Sequence, residues 1–346
     1  MVGDLESLRA EIDRVDEALI EMISRRIEIS RKIGYIKRAM GLPTRDPGRE
    51  QEVVKKWIAL SKEKGLPEDL AQNIVKLLIQ YSIAAQSTNR ASGLRVAIIG
   101  YGGMARTLGK IISRAGYRVS ISGRDLEKAG NLAKELNCSY GEPDDVITES
   151  DYVLLTLSRE AFAKGYFDVI AAFMKGKVVM DILSAKREIY HLIERGSMRY
   201  GFKYISTHPL FGPLSIPYGE TIVIIPSSTG LDVVNEVASF WSSVGLIPII
   251  TSYEEHEKAM AIVQVLPHIY MLALSEAVER LSKDFGIDYR VYMTYNFKKI
   301  QDAIDRVKSN MKAVLEIQEH NAHAPEARKI GLDALFSTVK KFGGDR

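Results

Sequence analysis

Apolar side chains recur at alternating steps of three and four through the first helical stretch, a heptad spacing typical of a long helix buried against partners. Its one charged member is Arg26. Removing an unpaired guanidinium from water costs roughly several kcal/mol, so Arg26 must meet either a structural carboxylate of the protein or an anionic ligand. Lys37 projects from nearly the same face about three turns later, which favours a ligand pocket inside a helical bundle. The series runs Leu5, Leu8, Ile12, Val15, Leu19, Met22, Arg26, Ile29, Ile33 and Ile36.

The next fifty residues predict two further helices. Asp46 and Pro47 form a helix-start signal, and a Gly-Leu-Pro break separates the second helix from the third. In the third helix Ser82 and Gln86 continue an apolar stripe, so we expect both to face inward. A three-helix bundle with so long a first helix exposes apolar surface unless a second copy covers it. We therefore expect a homodimer.

Residues 87–93 are small and polar, and the sequence pattern changes there from helical to strand-like. We expect an all-α three-helix domain at 1–90 and an α/β domain at 94–252. Buried strands that alternate with helices predict an open, doubly wound sheet. The expected strands are RVAIIG, YRVSIS, YVLLTL, KVVMDIL, FKYIST, ETIVII and IPIIT.

Residues 253–346 are helical in pattern and form the third predicted domain. Pro267 predicts a kink and Gly286 predicts a break. By analogy with other nucleotide-dependent enzymes, a helical region of this size closes the substrate cleft and dimerises. The predicted fold is therefore multidomain: all-α, then a Rossmann-type α/β domain, then all-α.

A glycine fingerprint joins the first expected strand of the α/β domain to the helix after it. The glycines permit a tight turn and let a pyrophosphate reach the N–H groups of the helix amino terminus. Alanine stands in the third small position. This strand and helix context predicts a dinucleotide site made of Gly100, Gly102, Gly103, Met104 and Ala105.

The end of the second strand of this domain bears on which dinucleotide is bound. NAD enzymes carry an acidic residue there to bind the ribose 2′-hydroxyl, whereas this strand ends with Ser122, Gly123 and Arg124. A hydroxyl and a guanidinium suit a 2′-phosphate, which favours NADP. Asp125, just beyond, leaves NAD open, and Arg124 has the alternative interpretation of a solvated loop charge.

The densest cluster of the second half is THPLFGP, residues 207–213, expected where a strand runs out into a loop. His208 on so stiff a loop is well placed to exchange a proton with a substrate. Ser184 and Lys186 end another expected strand, and His268 lies in a helix that can cap the cleft. A lone histidine is more often structural; the joint placement of these residues favours catalysis.

Composition excludes several classes of function. The chain has 346 residues and a net charge of +3 spread along its length, so we expect small-molecule substrates and neither a nucleic-acid nor a membrane partner. Cys138 is the only cysteine, which excludes internal disulfides and a thiolate metal cluster and fits a reducing cytoplasm. The acidic amino terminus is not a secretion signal, no apolar run is expected to span a membrane, and no metal site is expected.

The amino-terminal region resembles the all-helical chorismate mutase family. By this resemblance, the arginine that crosses from the partner subunit falls on Arg9 in LRAEI, the carboxylate-binding arginine on Arg26 and the ether-oxygen lysine on Lys37. All eight polar positions come into register without a gap. The other five are Asp46, Arg49 and Glu50 in RDPGRE, then Ser82 and Gln86 at the end of the third helix.

From residue 94 to about 340 the chain resembles prephenate dehydrogenases. The catalytic histidine of their HPMFGP motif matches His208, the serine that hydrogen-bonds it matches Ser184, and a cleft histidine matches His268. The arginine that binds a substrate carboxylate falls on Arg290 or Lys298. Because a lysine lacks the bidentate fork, the choice between prephenate and arogenate stays open.

Together the resemblances imply a bifunctional cytoplasmic enzyme of tyrosine biosynthesis. It would rearrange chorismate to prephenate and then oxidatively decarboxylate prephenate to 4-hydroxyphenylpyruvate with NADP or NAD. The alternative is an NADP-dependent arogenate dehydrogenase, or another reductase on the same scaffold, whose helical module only dimerises or binds an effector.

Overall fold

The computed structural model describes residues 2–42, 44–87, 93–214 and 217–342. The amino-terminal module consists of three helices, as the sequence predicts. The side chain of Asp46 accepts a hydrogen bond from the backbone N–H of Arg49 and so caps the second helix, which has Pro47 in its first turn. The three helices are α1 (Val2–Ala39), α2 (Pro47–Glu63) and α3 (Glu68–Ser87).

The heptad seam of α1 is covered along only part of its length. Around Ser30 and Gly34 the helix is buried against α3. Toward the amino terminus the seam faces outward, and Ile12 for example is 60% exposed. A single copy of the chain therefore leaves a long apolar stripe of α1 uncovered.

A glycine sets the distance between α1 and α3. A Cβ atom on Gly34 would lie 2.4 Å from the backbone oxygen of Gln86, far inside van der Waals contact. Only glycine lets the two helices approach this closely, and the approach brings residues of both helices around one cavity.

The second region is built on a single eight-stranded sheet in the order β3-β2-β1-β4-β5-β6-β7-β8. Neighbouring strands are parallel except β6 and β7, which are antiparallel. All seven strands expected from the sequence are present; β3 was missed because it has two exposed residues and no apolar alternation. The strands are β1 (Arg95–Ile99), β2 (Arg118–Ser122), β3 (Ser139–Tyr140), β4 (Tyr152–Leu155), β5 (Val178–Asp181), β6 (Lys203–Pro209), β7 (Thr221–Pro226) and β8 (Ile247–Ile250).

Helices cover both faces of the sheet, and each face has its own apolar core. This is the doubly wound arrangement expected from alternating strands and helices. Ala84 of α3 packs against one of the two cores, so the amino-terminal module contacts the sheet region directly. The linker predicted at 87–93 falls mostly on residues 88–92, outside the described residues. The covering helices are α4 (Gly103–Arg114), α5 (Leu126–Leu136), α6 (Pro143–Thr148), α7 (Arg159–Ala163), α8 (Tyr166–Ile170), α9 (Arg187–Tyr200) and α10 (Val234–Ser243).

The carboxyl-terminal region is helical, as predicted. Gly286 ends a helix in the left-handed conformation at φ 64°, which confirms the predicted break. The kink expected inside a helix at Pro267 is instead a π-helical turn at Ala261–Val265, and the proline lies in the first turn of the next helix, where its missing N–H costs nothing. The helices are α11 (Tyr253–Met260), α12 (Leu266–Phe285), α13 (Tyr295–Ser309), α14 (Met311–His320) and α15 (Ala324–Phe342).

One helical stretch, Tyr253–Phe285, is long and apolar enough to cross a membrane by length and composition alone. The expectation that no apolar run reaches this length is wrong by that criterion. The stretch begins with buried polar residues, His256 and Glu257, that pack against the sheet region, and much of its apolar surface is exposed in one copy of the chain. Helices of soluble proteins pass the same test when a partner covers them.

We predict that Gly34→Ala destabilises the amino-terminal module by about 1–3 kcal/mol. The helix-propensity gain of alanine is about 1 kcal/mol, and the overlap with the Gln86 backbone outweighs it because two helices must move apart. Thermal unfolding followed by circular dichroism measures the change. Gly48→Ala in α2 is the matched control, since the nearest atom to its Cβ lies at 3.5 Å; equal stability of the two variants would contradict the prediction.

Candidate active sites

A cavity of about 380 Å³ lies among the three amino-terminal helices. Its lining contains seven of the eight polar residues expected there. Arg9 is not among them: it is exposed, nearly five turns before Arg26 on α1. The seven are Arg26, Lys37, Asp46, Arg49, Glu50, Ser82 and Gln86.

Arg26 is held by neutral acceptors. Its Nη1 atom donates to the backbone oxygen of Leu78 at 2.8 Å and to the hydroxyl of Ser82. Burial lowers the pKa of the Arg26 guanidinium, which nevertheless stays charged at any physiological pH. No carboxylate lies within ion-pair distance of Arg26 in the part of the chain that the structure describes. The alternative of a structural carboxylate partner is therefore not realised in one copy of the chain.

Some of the other polar groups of this cavity are available to a ligand, and others are already paired within the protein. Lys37 Nζ donates to the backbone oxygen of Thr44 at 2.8 Å, which leaves two of its protons for a ligand. Glu50 is paired with Arg45, whose Nε donates to the carboxylate at 2.8 Å. The sequence reasoning missed Arg45, although its place directly before Asp46 was a usable signal. Asp46 serves as the cap of α2.

The glycine turn after β1 forms an open cradle. Gly100 adopts φ 134°, and a Cβ there would lie 2.3 Å from Thr156 Oγ1. Gly103 also lies close to its neighbour: a Cβ there would be 2.8 Å from the Pro213 side chain. At Gly102, the N-cap of α4, a Cβ would have no neighbour within 4 Å. The backbone of α4 is therefore open to a pyrophosphate at Gly102, which is the fit that a dinucleotide requires. Met104 is half-buried and Ala105 fully buried against the sheet.

Not all of the residues at the end of β2 and just after it reach this cradle. Ser122 is fully buried and its hydroxyl donates to the backbone oxygen of Gly141 at 2.7 Å, so the structure places it in the core and away from a ribose. Arg124 is exposed, and its guanidinium carbon lies 5.8 Å from the ring centre of Tyr166. Asp125 caps α5 and pairs with Lys128 at 2.9 Å. Arg124 is the residue left to contact a 2′-phosphate.

His208 lies within a strand. The expectation of a loop was wrong, because β6 continues through Pro209 and His208 pairs with Val223 of the antiparallel β7. The ring is 2% exposed, and its Nδ1 lies 3.0 Å from Nε2 of His256 on α11. His256 Nδ1 in turn lies 3.3 Å from the Glu257 carboxylate. Sequence reasoning missed His256 and Glu257; the only signal was a His-Glu pair at the start of an otherwise apolar helical stretch.

A buried ion pair lies beside His208. Lys186 Nζ is 2.9 Å from the Asp181 carboxylate and donates to the backbone oxygen of Thr207 at 2.6 Å. Burial lowers the pKa of Lys186. Burial also lowers the pKa of His208 well below its ordinary value, and the nearby His256 and Lys186 lower it further. The His208 imidazole is therefore neutral at physiological pH and able to accept a proton.

The remaining expected residues are not assembled with His208. Ser184 is half-buried and its hydroxyl makes no hydrogen bond within the described ranges, so the expected bond to His208 is replaced by the one to His256. His268 on α12 is half-buried, and burial lowers its pKa. Arg290 is exposed and pairs with Asp288 at 3.7 Å. Lys298, also exposed, lies on α13.

Comparison with known proteins divides the chain in the same way. Residues 8–87 match the chorismate mutase type II family, and residues 95–185 match a family described as NADP oxidoreductase coenzyme F420-dependent. The intracellular chorismate mutase of Mycolicibacterium smegmatis is 34% identical over 76 residues, which make up 22% of this chain and 71% of that protein.

One relative is similar across both halves. The T-protein of Haemophilus influenzae is 22% identical across 99% of this chain and 93% of that protein. The amino-terminal region belongs to the chorismate mutase type II family, and the rest of the chain is similar to prephenate dehydrogenases. The probable arogenate/prephenate dehydrogenase of Methanocaldococcus jannaschii is 27% identical over 56% of this chain, and that match spans less than half, 44%, of the relative.

A solved structure shares the fold of the second and third regions of this chain. The prephenate dehydrogenase of A. aeolicus, in complex with hydroxyphenyl propionate and NAD+, superposes with a TM-score of 0.57 at 19% identity and covers 73% of this chain and 93% of its own. The sheet with its glycine turn is thus an NAD(P)-dependent oxidoreductase fold, followed by a helical region.

We predict opposite consequences for alanine at two neighbouring glycines. Gly100→Ala destabilises the protein by more than about 2 kcal/mol, because alanine is strained at φ 134° and collides with Thr156. Gly102→Ala changes stability by less than about 0.5 kcal/mol but weakens NAD(P) binding at least about tenfold, because its methyl group enters the space of the pyrophosphate. Thermal unfolding and cofactor titration by fluorescence measure both effects. Unchanged cofactor affinity of Gly102→Ala would exclude this turn as the pyrophosphate site.

Proposed function

We propose that this chain rearranges chorismate to prephenate in the amino-terminal cavity, and that its second and third regions oxidise prephenate with loss of carbon dioxide to give 4-hydroxyphenylpyruvate, in tyrosine biosynthesis. The observation that carries the first reaction is the cavity around Arg26, where cationic side chains converge with no carboxylate on Arg26. A doubly negative small molecule is the ligand that such a cavity requires.

The first reaction is an intramolecular rearrangement and needs neither an acid nor a nucleophile. The protein contributes by holding a reactive conformer and by stabilising the charge that develops as a bond breaks. Arg26 would bind one carboxylate, Lys37 and Gln86 would meet the ether oxygen, and Glu50 would orient the ring hydroxyl. Arg49, Ser82 and Asp46 would complete the polar lining.

The second carboxylate is assigned to Arg9 of another copy. Arg9 lies too far along α1 to reach the cavity of its own chain, and the apolar stripe of α1 beside it is exposed. Pairing of two chains along α1 would cover this stripe and bring each Arg9 to the other cavity. The proposed working unit is therefore a homodimer, and the exposed apolar helices of 253–346 offer a second contact surface.

In the second reaction His208 accepts the proton of the substrate hydroxyl. The nicotinamide, when bound at the glycine turn, supplies the hydride acceptor. The neutral state of the buried imidazole supports this role. Ser184, in the loop after β5, and His268 of α12 would contact the substrate. Either Arg290 or Lys298, from the same or the partner chain, would bind a substrate carboxylate.

NADP is the cofactor we assign, because Arg124 is the exposed cation after β2 and Asp125 is engaged with α5 and Lys128. The single cysteine, Cys138, fits a cytoplasmic location. Burial raises the pKa of its thiol to about 11, so the thiol is unreactive.

The decisive experiment supplies chorismate alone with NADP or with NAD. We expect reduced nicotinamide and 4-hydroxyphenylpyruvate to form together in equal amounts, with NADP giving the higher kcat/KM. Absorbance at the reduced nicotinamide band and chromatography of the keto acid measure the two products. Prephenate that accumulates without nicotinamide reduction would exclude the second activity, and chorismate that is converted to neither prephenate nor 4-hydroxyphenylpyruvate would exclude the first.

Two variants should separate the activities. Lys37→Ala is expected to lower mutase turnover by roughly 100-fold, since a donor at a developing oxyanion is worth about 3 kcal/mol, while oxidation of supplied prephenate is unchanged. His208→Asn should abolish oxidation and leave the mutase and cofactor binding intact. Lys32→Ala, an exposed lysine one turn from Lys37 that pairs with Glu28, is the control and should leave both rates unchanged. Normal mutase turnover in a folded Lys37→Ala protein would contradict the assignment.

A further inference from the structure

Three buried groups lie in line between β6 and α11. His208 Nδ1 is 3.0 Å from His256 Nε2, and His256 Nδ1 is 3.3 Å from Glu257 Oε1. Each of the three residues is at most 2% exposed. The row begins at the proposed proton acceptor and ends at a carboxylate that no substrate needs to touch.

The carboxylate end of this row is fixed in place. The other oxygen of Glu257 accepts the backbone N–H of Ala322 at 3.3 Å, and the backbone oxygen of Glu257 accepts a hydrogen bond from the side chain of Asn321 at 2.8 Å. Both partners lie at the junction of α14 and α15. The carboxyl-terminal helices therefore set where the carboxylate lies, and the carboxylate can only accept at His256.

The position of each proton follows from this one acceptor. An ionised Glu257 requires the His256 proton on Nδ1, so His256 Nε2 carries a lone pair. That lone pair requires the His208 proton on Nδ1, and so Nε2 of His208 is left as the basic nitrogen. With Glu257 as an acceptor, only this arrangement of protons satisfies both hydrogen bonds with neutral imidazoles.

We propose that Glu257 and His256 are positioning residues that hold His208 in the tautomer whose Nε2 accepts the substrate proton. The proposal rests on the proposed function, in which His208 is the proton acceptor of the dehydrogenase reaction.

The arrangement also accounts for charge during the reaction. The substrate O–H bond breaks and an Nε2–H bond forms, and the oxygen electron pair makes a C=O bond as the C–H electron pair leaves as hydride to NAD(P). The C–C bond to the departing carbon dioxide supplies the electron pair that makes the ring aromatic, and the resulting phenolate finally takes back a proton. His208 becomes an imidazolium, whose Nδ1–H points through His256 toward the Glu257 carboxylate. Lys186, the residue before α9, disfavours this charge, whereas the Glu257 carboxylate at the far end of the row favours it through His256.

Glu257→Gln tests the proposal in the full-length protein. Its amide can donate to His256 Nδ1, which reverses the row and moves the His208 proton onto Nε2, where it blocks the base. The analogous acid-to-amide change in a serine protease costs about 10⁴ in kcat, and through the longer row we expect a fall of at least about 100-fold in prephenate oxidation. Mutase turnover and the cofactor Kd should stay within about twofold of wild type.

A pH profile separates positioning from a structural role. In wild type the acid limb of kcat/KM lies below pH 6.5, because the pKa of His208 is lowered and oxidation needs the neutral ring. Loss of the carboxylate removes a negative charge from the far end of the row, so this limb moves to lower pH in Glu257→Gln. Glu257→Asp keeps an acceptor and should recover most of the rate. Glu254→Gln, an exposed glutamate one turn earlier that pairs with Lys258, is the matched control and should behave as wild type.

His256→Asn tests the middle of the row without altering Glu257, and we expect a comparable loss of oxidation with normal mutase activity. An oxidation rate within about threefold of wild type in Glu257→Gln or His256→Asn would overturn the proposal. It would also be overturned if Glu257→Gln and Glu257→Asp lost the same amount of oxidation rate and the same amount of melting temperature as each other. Failure of the wild type itself to oxidise prephenate would instead remove the proposed function, and this proposal with it.

Discussion

The buried pair of Asp181 and Lys186 is the interaction on which the dehydrogenase site depends. Asp181 ends β5 and accepts hydrogen bonds from Lys186, at the start of α9, and from the Tyr204 hydroxyl of β6 at 2.7 Å. Lys186 also donates to the backbone of Thr207, the residue before His208. Removal of one partner would strand a charge in the core at a cost of about 3–5 kcal/mol. The pair thus holds two strands and a helix in the register that presents the His208 ring to α11.

The two sites differ in whether a carboxylate of the protein neutralises their buried cations. In the sheet region Lys186 has a carboxylate within the protein, so its charge is balanced and its role is structural. In the amino-terminal cavity Arg26 and Lys37 are held by carbonyl and hydroxyl oxygens, which fix the side chains without neutralising them. Of the two carboxylates in the cavity lining, Glu50 is already paired with Arg45 and Asp46 caps α2. The cavity therefore keeps excess positive charge, and an anion that enters it meets side chains already in place.

The sequence predicted the parts of this protein whose cause is local. Helix periods, the Asp46 cap, the glycine turn and the buried strands depend on neighbouring residues, and the structure contains all of them. The sequence did not predict contacts between distant segments. The row from His208 to Glu257 joins residues 49 positions apart, and no spacing rule connects them. The same limit explains Ser122, whose hydroxyl suited a phosphate but meets the Gly141 backbone in the core. The two-residue β3 carried too little pattern to be seen.

The segment that follows β6 contacts two functional parts of the molecule, the nucleotide turn and helix α3. Pro213 packs against Gly103 of the nucleotide turn, and the ring of Tyr218 lies 6.3 Å from that of Tyr81 on α3. Ile83, beside the cavity serine of α3, abuts Gly219. Because one short stretch of chain contacts both catalytic units, the two units are not structurally independent. An exchange of the amino-terminal helices for those of a monofunctional mutase would have to keep the matching surface of α3, or the ring of Tyr218 would lose its neighbour.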